Sequence, residues 1–280
     1  MRNAVSLPAF AEWSDPNTVM EMAAEADAAG WDAFFLWDHV SWNPAWGGTP
    51  PMADPWLCLA AAATVTSHVL LGTMVTPLPR RRPHQLAREV VTLDHLSEGR
   101  AVLGVGLGDD FEFAAFGEPL EGRGSRLDEA LFVLTGLLSG EPVNFDGRHY
   151  VVHSPPALPR PVHGTIPIWV GGHWPNPAPF ARAARYDGVV PRKRADVDAG
   201  VLTVEDLVAI RAAVGRDGED FAYVASGNTA SPADTEAPRA WQAAGANWWL
   251  EAMYPFGGRA TSMRDRLRAG PPDLGDRVGA

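Results

Sequence analysis

Residues 69–96, VLLGTMVTPLPRRRPHQLAREVVTLDHL, change period part-way along. The run 69–75 is apolar and of strand length, whereas 83–96 repeats apolar residues at helical spacing and ends before Gly99. That is one strand-to-helix unit, and it recurs in both directions. Apolar runs at 33–38, 101–107, 166–170, 186–190, 221–225 and 246–253, with a weaker one at 4–7, alternate with helical patterns. Those patterns occupy 17–29, 54–66, 125–139, 178–185, 203–214, 233–244 and 262–268. Eight strands, each followed by a helix, predict an α/β fold of the (β/α)8 TIM-barrel kind, since a doubly wound sheet usually has fewer units.

Local chemistry marks several boundaries. Asp15–Pro16 and Asp54–Pro55 each read as an N-cap followed by proline at the first helical position. Gly30 and Gly140 suit helix ends, and Thr203 with Asp206 suits a helix start. Ser125 with Asp128 predicts another start. Residues 141–165 exceed a minimal repeat; Val143, Phe145 and Tyr150 flanking Asp146–Gly147 predict a short hairpin excursion between the fourth helix and the fifth strand. Residues 1–270 are expected to form a single domain, with 271–280, carrying Pro271, Pro272 and Gly275, as a C-terminal tail.

Composition narrows the function classes. Hydrophobic residues make up 46% of the 280 positions and charged residues only 20%, which argues against wholesale disorder. A formal charge of −11 offers no broad cationic surface for nucleic acid or an anionic membrane. One cysteine, Cys58, excludes an intrachain disulfide framework and any multi-cysteine metal site. No apolar run reaches membrane-spanning length and no signal-peptide pattern is evident, so a cytoplasmic location is expected.

In a barrel of this kind chemistry gathers where strands end. Asp38 and His39 fall at the second such end, Thr76 and Pro77 at the third. Gly106, Gly108, Asp109, Asp110 and Glu112 follow the fourth, and Gly171, Gly172 and His173 the fifth. An acid beside an imidazole can shuttle protons or hydrogen-bond a heteroaromatic ring; equally, Asp38 can cap its loop and His39 can be a structural histidine. Asp109 is a second acid–base candidate, with a solvated loop as the competing reading. Gly104, Gly106 and Gly108 do not complete a dinucleotide fingerprint, because Asp109 stands where glycine is required. Backbone passing close to a ring, or a small-residue layer in the core, explains them as well. Asp109, Asp110 and Glu112 lack the spacing of a calcium loop, so no metal is expected. Serine-nucleophile and P-loop motifs are missing, and Arg80–Arg81–Arg82 reads as a solvated face. Eleven tryptophans, with Trp31, Trp37, Trp42, Trp46 and Trp56 early and Trp169, Trp174, Trp248 and Trp249 late, suit either core packing or an aromatic pocket wall.

An ordered set of segments resembles the bacterial luciferase-like flavin- or F420-dependent oxidoreductases. It comprises AEADAAGWDAFFLWDHV (24–40), LGTMVTPLPRRRPHQLAREVVTLDHLSEGR (71–100), AVLGVGLGDDFEFAAFG (101–117), RLDEALFVLTGLLSGEPVNFDGRHY (126–150), IPIWVGG (166–172), AARYDGVVP (183–191) and AGANWWLE (244–251). The resemblance spans roughly residues 4–255 and implies a barrel with the cofactor ring across its C-terminal mouth. It implies that Asp38 and His39 contact that ring or assist proton transfer, and that Asp109 aligns with an acid of the F420-dependent members. It also implies a non-proline cis peptide at Met74–Val75, with Thr76, Gly106 and Gly108 beside the ring. Gly171 and Gly172 are implied to begin a loop that helps hold the cofactor phosphate, where a turn into the 178–185 helix would supply backbone donors.

Glu112 departs from the asparagine frequent in F420-type patterns, and a carboxylate near an anionic tail favours FMN. The expected reaction is therefore that of reduced FMN and O2 on a small apolar organic substrate, with His39 as proton donor and Asp38 orienting it. A separate NAD(P)H-dependent flavin reductase and a homodimer are the partners this implies. The alternatives are F420-dependent hydride transfer without oxygen insertion, and a non-catalytic barrel that binds flavin or a small ligand.

Overall fold

A computed structural model describes residues 1–43, 48–194, 196–197, 200–218, 220–254 and 260–275. Eight parallel strands close a barrel: β1 (Arg2–Leu7), β2 (Ala33–Leu36), β3 (Leu70–Pro77), β4 (Ala101–Gly106), β7 (Ile168–Trp174), β8 (Gly188–Lys193), β9 (Ala222–Gly227) and β10 (Trp248–Ala252). Their order around the barrel is the order of the chain, and β10 closes on β1 with Arg2 opposite Trp248. The omitted pair, β5 (Val143–Asp146) and β6 (Val151–Ser154), is the expected hairpin, antiparallel and outside the barrel. Glu129 fastens its turn by accepting from the backbone N–H groups of Arg148, His149 and Tyr150.

The helices between strands are α1 (Pro16–Ala28), α2 (Pro55–Ala63), α3 (Pro83–Leu96), α4 (Asp110–Ala115), α5 (Arg123–Ser139), α6 (Pro177–Ala183), α7 (Val204–Val214), α8 (Glu236–Ala243) and α9 (Ala260–Arg268). Asp15 caps α1 through the Asn17 N–H, Asp54 caps α2 through Trp56 and Leu57, and Thr203 with Asp206 forms a complete capping box on α7. The Ser125–Asp128 expectation is corrected. Helix α5 begins earlier, behind left-handed Gly122, and the Asp128 carboxylate instead binds Arg182 and Arg185. Helix α4 has no counterpart among the sequence expectations. At the C-terminus Pro271, Pro272 and Leu274 are buried, and the Asp273 N–H donates to the Pro232 carbonyl, so this part of the tail packs on the barrel.

Strand alternation separates two cores. Residues facing outward, such as Leu71, Leu103, Val170 and Val189, pack with the helices. Residues facing inward, including Ala4, Phe35, Val102, Trp169, Val190, Val224, Trp248 and Leu250, fill the barrel. Trp169 stands edge-on to both Phe35 and Trp248, at 5.6 and 5.0 Å between ring centroids. The barrel is plugged with large side chains, so ligands are confined to its ends.

Candidate active site

The plug ends upward in Val75. The Met74–Val75 peptide bond is cis, as the resemblance implied, and the β3–β4 register shifts between Thr73 and Thr76. This irregularity sends the Val75 side chain between β4 and β7. A Cβ on Gly106 would lie 2.6 Å from Val75 Cγ2, and one on Gly171 would lie 3.2 Å from Val75 Cγ1. Glycine is thus needed at 106 because the valine methyl group already occupies the place of a side chain. Lower down, Gly104 accommodates the Thr73 carbonyl, 2.1 Å from where its Cβ would stand. Gly108 adopts φ +79° and packs on Pro77 and Phe113. Gly104 and Gly106 thus belong to a small-residue layer of the barrel core, whereas Gly108 lies beyond the end of β4.

Beside this floor lies a buried polar knot. Strand β2 stops at Leu36, so Asp38 and His39 belong to the loop beyond it. Asp38 is fully buried and accepts from Thr76 Oγ1 (2.8 Å), Arg80 NH2 (3.0 Å), Arg81 Nε (2.9 Å), Arg81 NH2 (3.0 Å) and Trp56 Nε1 (3.3 Å). Two guanidinium groups compensate a carboxylate removed from water, as burial requires. This overturns two expectations: Arg80 and Arg81 are not a solvated face, and Asp38 does not orient His39.

Glu112 does that instead. It is 1% exposed, and its Oε1 lies 3.3 Å from His39 Nδ1 while accepting from the Val40 (2.6 Å) and Ser41 (3.1 Å) N–H groups. Arg80 NH1 stands 3.5 Å from Glu112 Oε2, an ion pair without a hydrogen bond. Burial pushes the Glu112 carboxyl up, but the His39 hydrogen bond, the Arg80 charge and the Val40 N–H prevail and hold it below the usual carboxylate range. Glu112 is therefore a carboxylate tied beneath the 38–41 loop, not a free charge facing a ligand, and the charge argument for FMN over F420 falls.

An aromatic wall surrounds His39. Phe10 meets Trp37, Trp42 and His39 at 5.9, 5.1 and 6.4 Å, and Trp37 packs edge-on against Tyr254 at 5.0 Å. Trp37 Nε1 donates to Ser6 Oγ (2.9 Å), which sets the indole across the β1–β2 side of the mouth. Trp46 lies outside the described residues.

Asp109 takes a different part from the one expected. Its carboxylate accepts from the Phe111 N–H at 2.7 Å and caps α4. Asp110 pairs with Arg123 at the surface. Among the described residues no group of three or more His, Cys, Asp or Glu side chains is placed to hold a metal ion.

The fifth strand also departs from expectation. Gly171 and Gly172 do not begin a loop, because β7 continues to Trp174. A Cβ on Gly172 would lie 2.2 Å from Pro179 Cβ, so this glycine admits α6. The backbone donors foreseen there are largely missing: Pro177 and Pro179 have no N–H, and the Ala178 N–H donates to Asn176 Oδ1.

With this geometry in view, the sequence profile of luciferase-like monooxygenases matches residues 2–273. The chain belongs to that family. It is 36% identical over 173 residues to an F420-dependent glucose-6-phosphate dehydrogenase of Beutenbergia cavernae, covering 60% of this chain and 50% of the relative. The chain thus spans about half the length of such relatives. The fold of the family recurs in the F420-dependent tetrahydromethanopterin reductase of Methanopyrus kandleri, with TM-score 0.72, 16% identity and coverage of 96% and 97% of the two chains. It recurs also in the monooxygenase RslO1 of Streptomyces bottropensis, with TM-score 0.66, 24% identity and coverage of 95% and 78%. Of the site residues named from sequence, Asp38 and Thr76 meet through a hydrogen bond, with His39 and Val75 next to them in the chain at the same end of the barrel. Glu112, Arg80 and Arg81 were missed as its supports. Asp109-x-x-Glu112 has helix-start spacing, which signals α4 but not the reach of Glu112 to another loop.

Proposed function

We propose that this chain is an oxidoreductase that moves a hydride between a small organic substrate and a flavin-like ring resting on Val75, with F420 the favoured cofactor. The observation that carries the reading is the His39–Glu112 contact at the barrel mouth. The floor suits a planar ring: it is apolar, and Gly106 and Gly171 leave room for the Val75 methyl groups to lie between β4 and β7. Met74, Val75, Thr76, Gly106, Gly108 and Gly171 would border such a ring. When bound, the cofactor supplies the hydride acceptor and donor that no side chain here provides.

The residues of the chain manage the proton. As an alcohol carbon gives up hydride and becomes a carbonyl, its hydroxyl proton passes to His39; in the reverse direction His39 returns it. Glu112 orients the imidazole through Nδ1 and offers a compensating negative charge. Phe10, Trp37, Trp42 and Tyr254 exclude bulk water and select a substrate with an apolar face. Two considerations support F420: Glu112 is tied to the 38–41 loop rather than free to repel an anionic tail, and the sequence relative compared above is F420-dependent by name. The glucose 6-phosphate of that relative is a reasonable first substrate to test.

The aromatic wall favours a second reading, oxygenation of an apolar substrate with reduced FMN delivered by a separate NAD(P)H-dependent reductase. Titration of the purified protein with F420 and with FMN decides between them. Tight F420 binding and reduction of F420 by an alcohol or sugar phosphate are expected. FMN binding with substrate-dependent O2 consumption would establish the second reading, and cofactor binding without turnover would leave a binding barrel.

A further inference from the structure

Arg80 ties together the segments that follow β2, β3 and β4. It ends the 3-10 turn Leu78–Arg80 behind β3, and its side chain is 7% exposed. Its NH2 donates to the Asp38 carboxylate at 3.0 Å and to the Asp38 carbonyl at 3.1 Å. That carbonyl belongs to the peptide joining Asp38 to His39. On the other side NH1 stands 3.5 Å from Glu112 Oε2. The second oxygen of Glu112 faces His39 Nδ1 and accepts from the Val40 and Ser41 N–H groups. One ion pair therefore holds the backbone on both sides of His39: the guanidinium grips the carbonyl before it, the carboxylate the amides after it.

Arg81 is placed differently. Its Nε and NH2 bind Asp38 and its NH1 binds Glu89, and among the described residues it makes no ion pair with Glu112. Arg80 Nε and NH1 and Glu112 Oε2 are buried and make no hydrogen bond. The attraction between Arg80 and Glu112 is thus one of charge, in surroundings that screen it little. Burial raises the Glu112 carboxyl, and after the His39 hydrogen bond the Arg80 charge is the strongest influence that lowers it. Around His39 stand Glu112 from α4, Phe10 from the loop after β1 and Trp37 from its own segment. Behind Glu112 the charges are Arg80, Asp38 and Arg81.

We infer that Arg80 is a positioning residue that acts through Glu112, fixing the 38–41 loop and setting by its charge the pH at which His39 gives up its proton. Glu112 alone favours the imidazolium, and the guanidinium behind it opposes that preference. Without Arg80, His39 would hold its proton too firmly to return it to a substrate. The inference rests on the proposed function only for this last, kinetic consequence.

An NMR titration of the His39 ring in cofactor-free protein tests it. Arg80→Gln is expected to raise the midpoint by about one pH unit, as loss of a nearby positive charge in a partly screened interior implies. Arg80→Lys keeps the charge and should titrate near wild type. Arg81→Gln, which takes the other guanidinium from Asp38, should move the midpoint much less. An unmoved midpoint in folded Arg80→Gln overturns the inference, as does an equal shift in Arg80→Lys or Arg81→Gln. Should Arg80→Gln not fold, Arg80→Met takes its place. Failure of both to fold while Arg80→Lys folds assigns Arg80 to the fold alone and also overturns it. With F420 and an alcohol, the limb of the pH–rate profile that reports His39 should move with the NMR midpoint. If the midpoint moves as expected but neither F420 nor FMN supports turnover, the coupling stands and the proposed function fails.

Discussion

Glu112 Oε1 lies 3.3 Å from His39 Nδ1, and the same oxygen accepts the N–H groups of the two residues that follow His39. One buried carboxylate thus fixes both an imidazole and the loop that carries it. Replacing it separates the two tasks. Glu112→Ala leaves two amides without their acceptor and Arg80 and Arg81 sharing the Asp38 carboxylate, and should destabilise the fold by about 3–5 kcal/mol. Glu112→Gln keeps an acceptor for the loop and should cost less, while lowering turnover through loss of the charge beside His39. Thermal melts alongside steady-state rates check both outcomes.

The same carboxylate predicts an acid-side stability change. Its folded pKa is held below the ordinary glutamate value of 4.5, so its stabilising contribution is complete above that value and is lost as pH falls through the folded pKa. Below pH 4.5 the wild type should lose its advantage over Glu112→Gln. Urea melts of both proteins between pH 3 and 7 would show the two curves converging on the acid side; parallel curves would refute the charge assignment.

His39 should matter to turnover rather than folding. His39→Ala is expected to melt near wild type and to keep most of its cofactor affinity, while its single-turnover rate falls roughly 100-fold or more. An unchanged rate would return His39 to the structural reading.

Asp38 and Asp109 should behave oppositely to catalytic acids. Asp38→Asn breaks a buried group held by Arg80 and Arg81 and should cost about 3–5 kcal/mol in chemical denaturation. Asp109→Asn preserves an N-cap of similar quality, so stability should change by under about 1 kcal/mol and activity should survive. A large loss of rate in a stable Asp109→Asn protein would restore its acid–base role.

The glycines of β4 differ in what they protect. A Cβ at Gly104 would meet the Thr73 carbonyl at 2.1 Å, a backbone atom that cannot step aside, so Gly104→Ala should destabilise by about 1–3 kcal/mol or more. At Gly106 the obstacle is a Val75 methyl group, so Gly106→Ala should fold and instead weaken cofactor binding by disturbing the floor. Melting and cofactor titration separate the two.

Periodicity and caps were enough for the barrel, because each strand and helix records its own buried face and ends. A continuous apolar run of strand length marks β3, and Asp15, Asp54 and the Thr203–Asp206 box mark helix starts through contacts two or three residues away. The position of His39 at the mouth follows from the same local reading. Its partner does not: Glu112 is 73 residues distant, and only closure of β2 against β3 and β3 against β4 brings α4 beneath the 38–41 loop. The fate of the arginines is likewise tertiary, since a run of three cations looks solvated until a buried Asp38 draws two of them inward. Gly171 and Gly172 read locally as a loop, yet extend a strand because Val75 on one face and Pro179 on the other claim the space of their side chains. Short-range sequence specifies elements whose hydrogen bonds and faces are their own; which charges meet is decided by barrel closure, because desolvation forces each buried charge to find a partner wherever the chain supplies one.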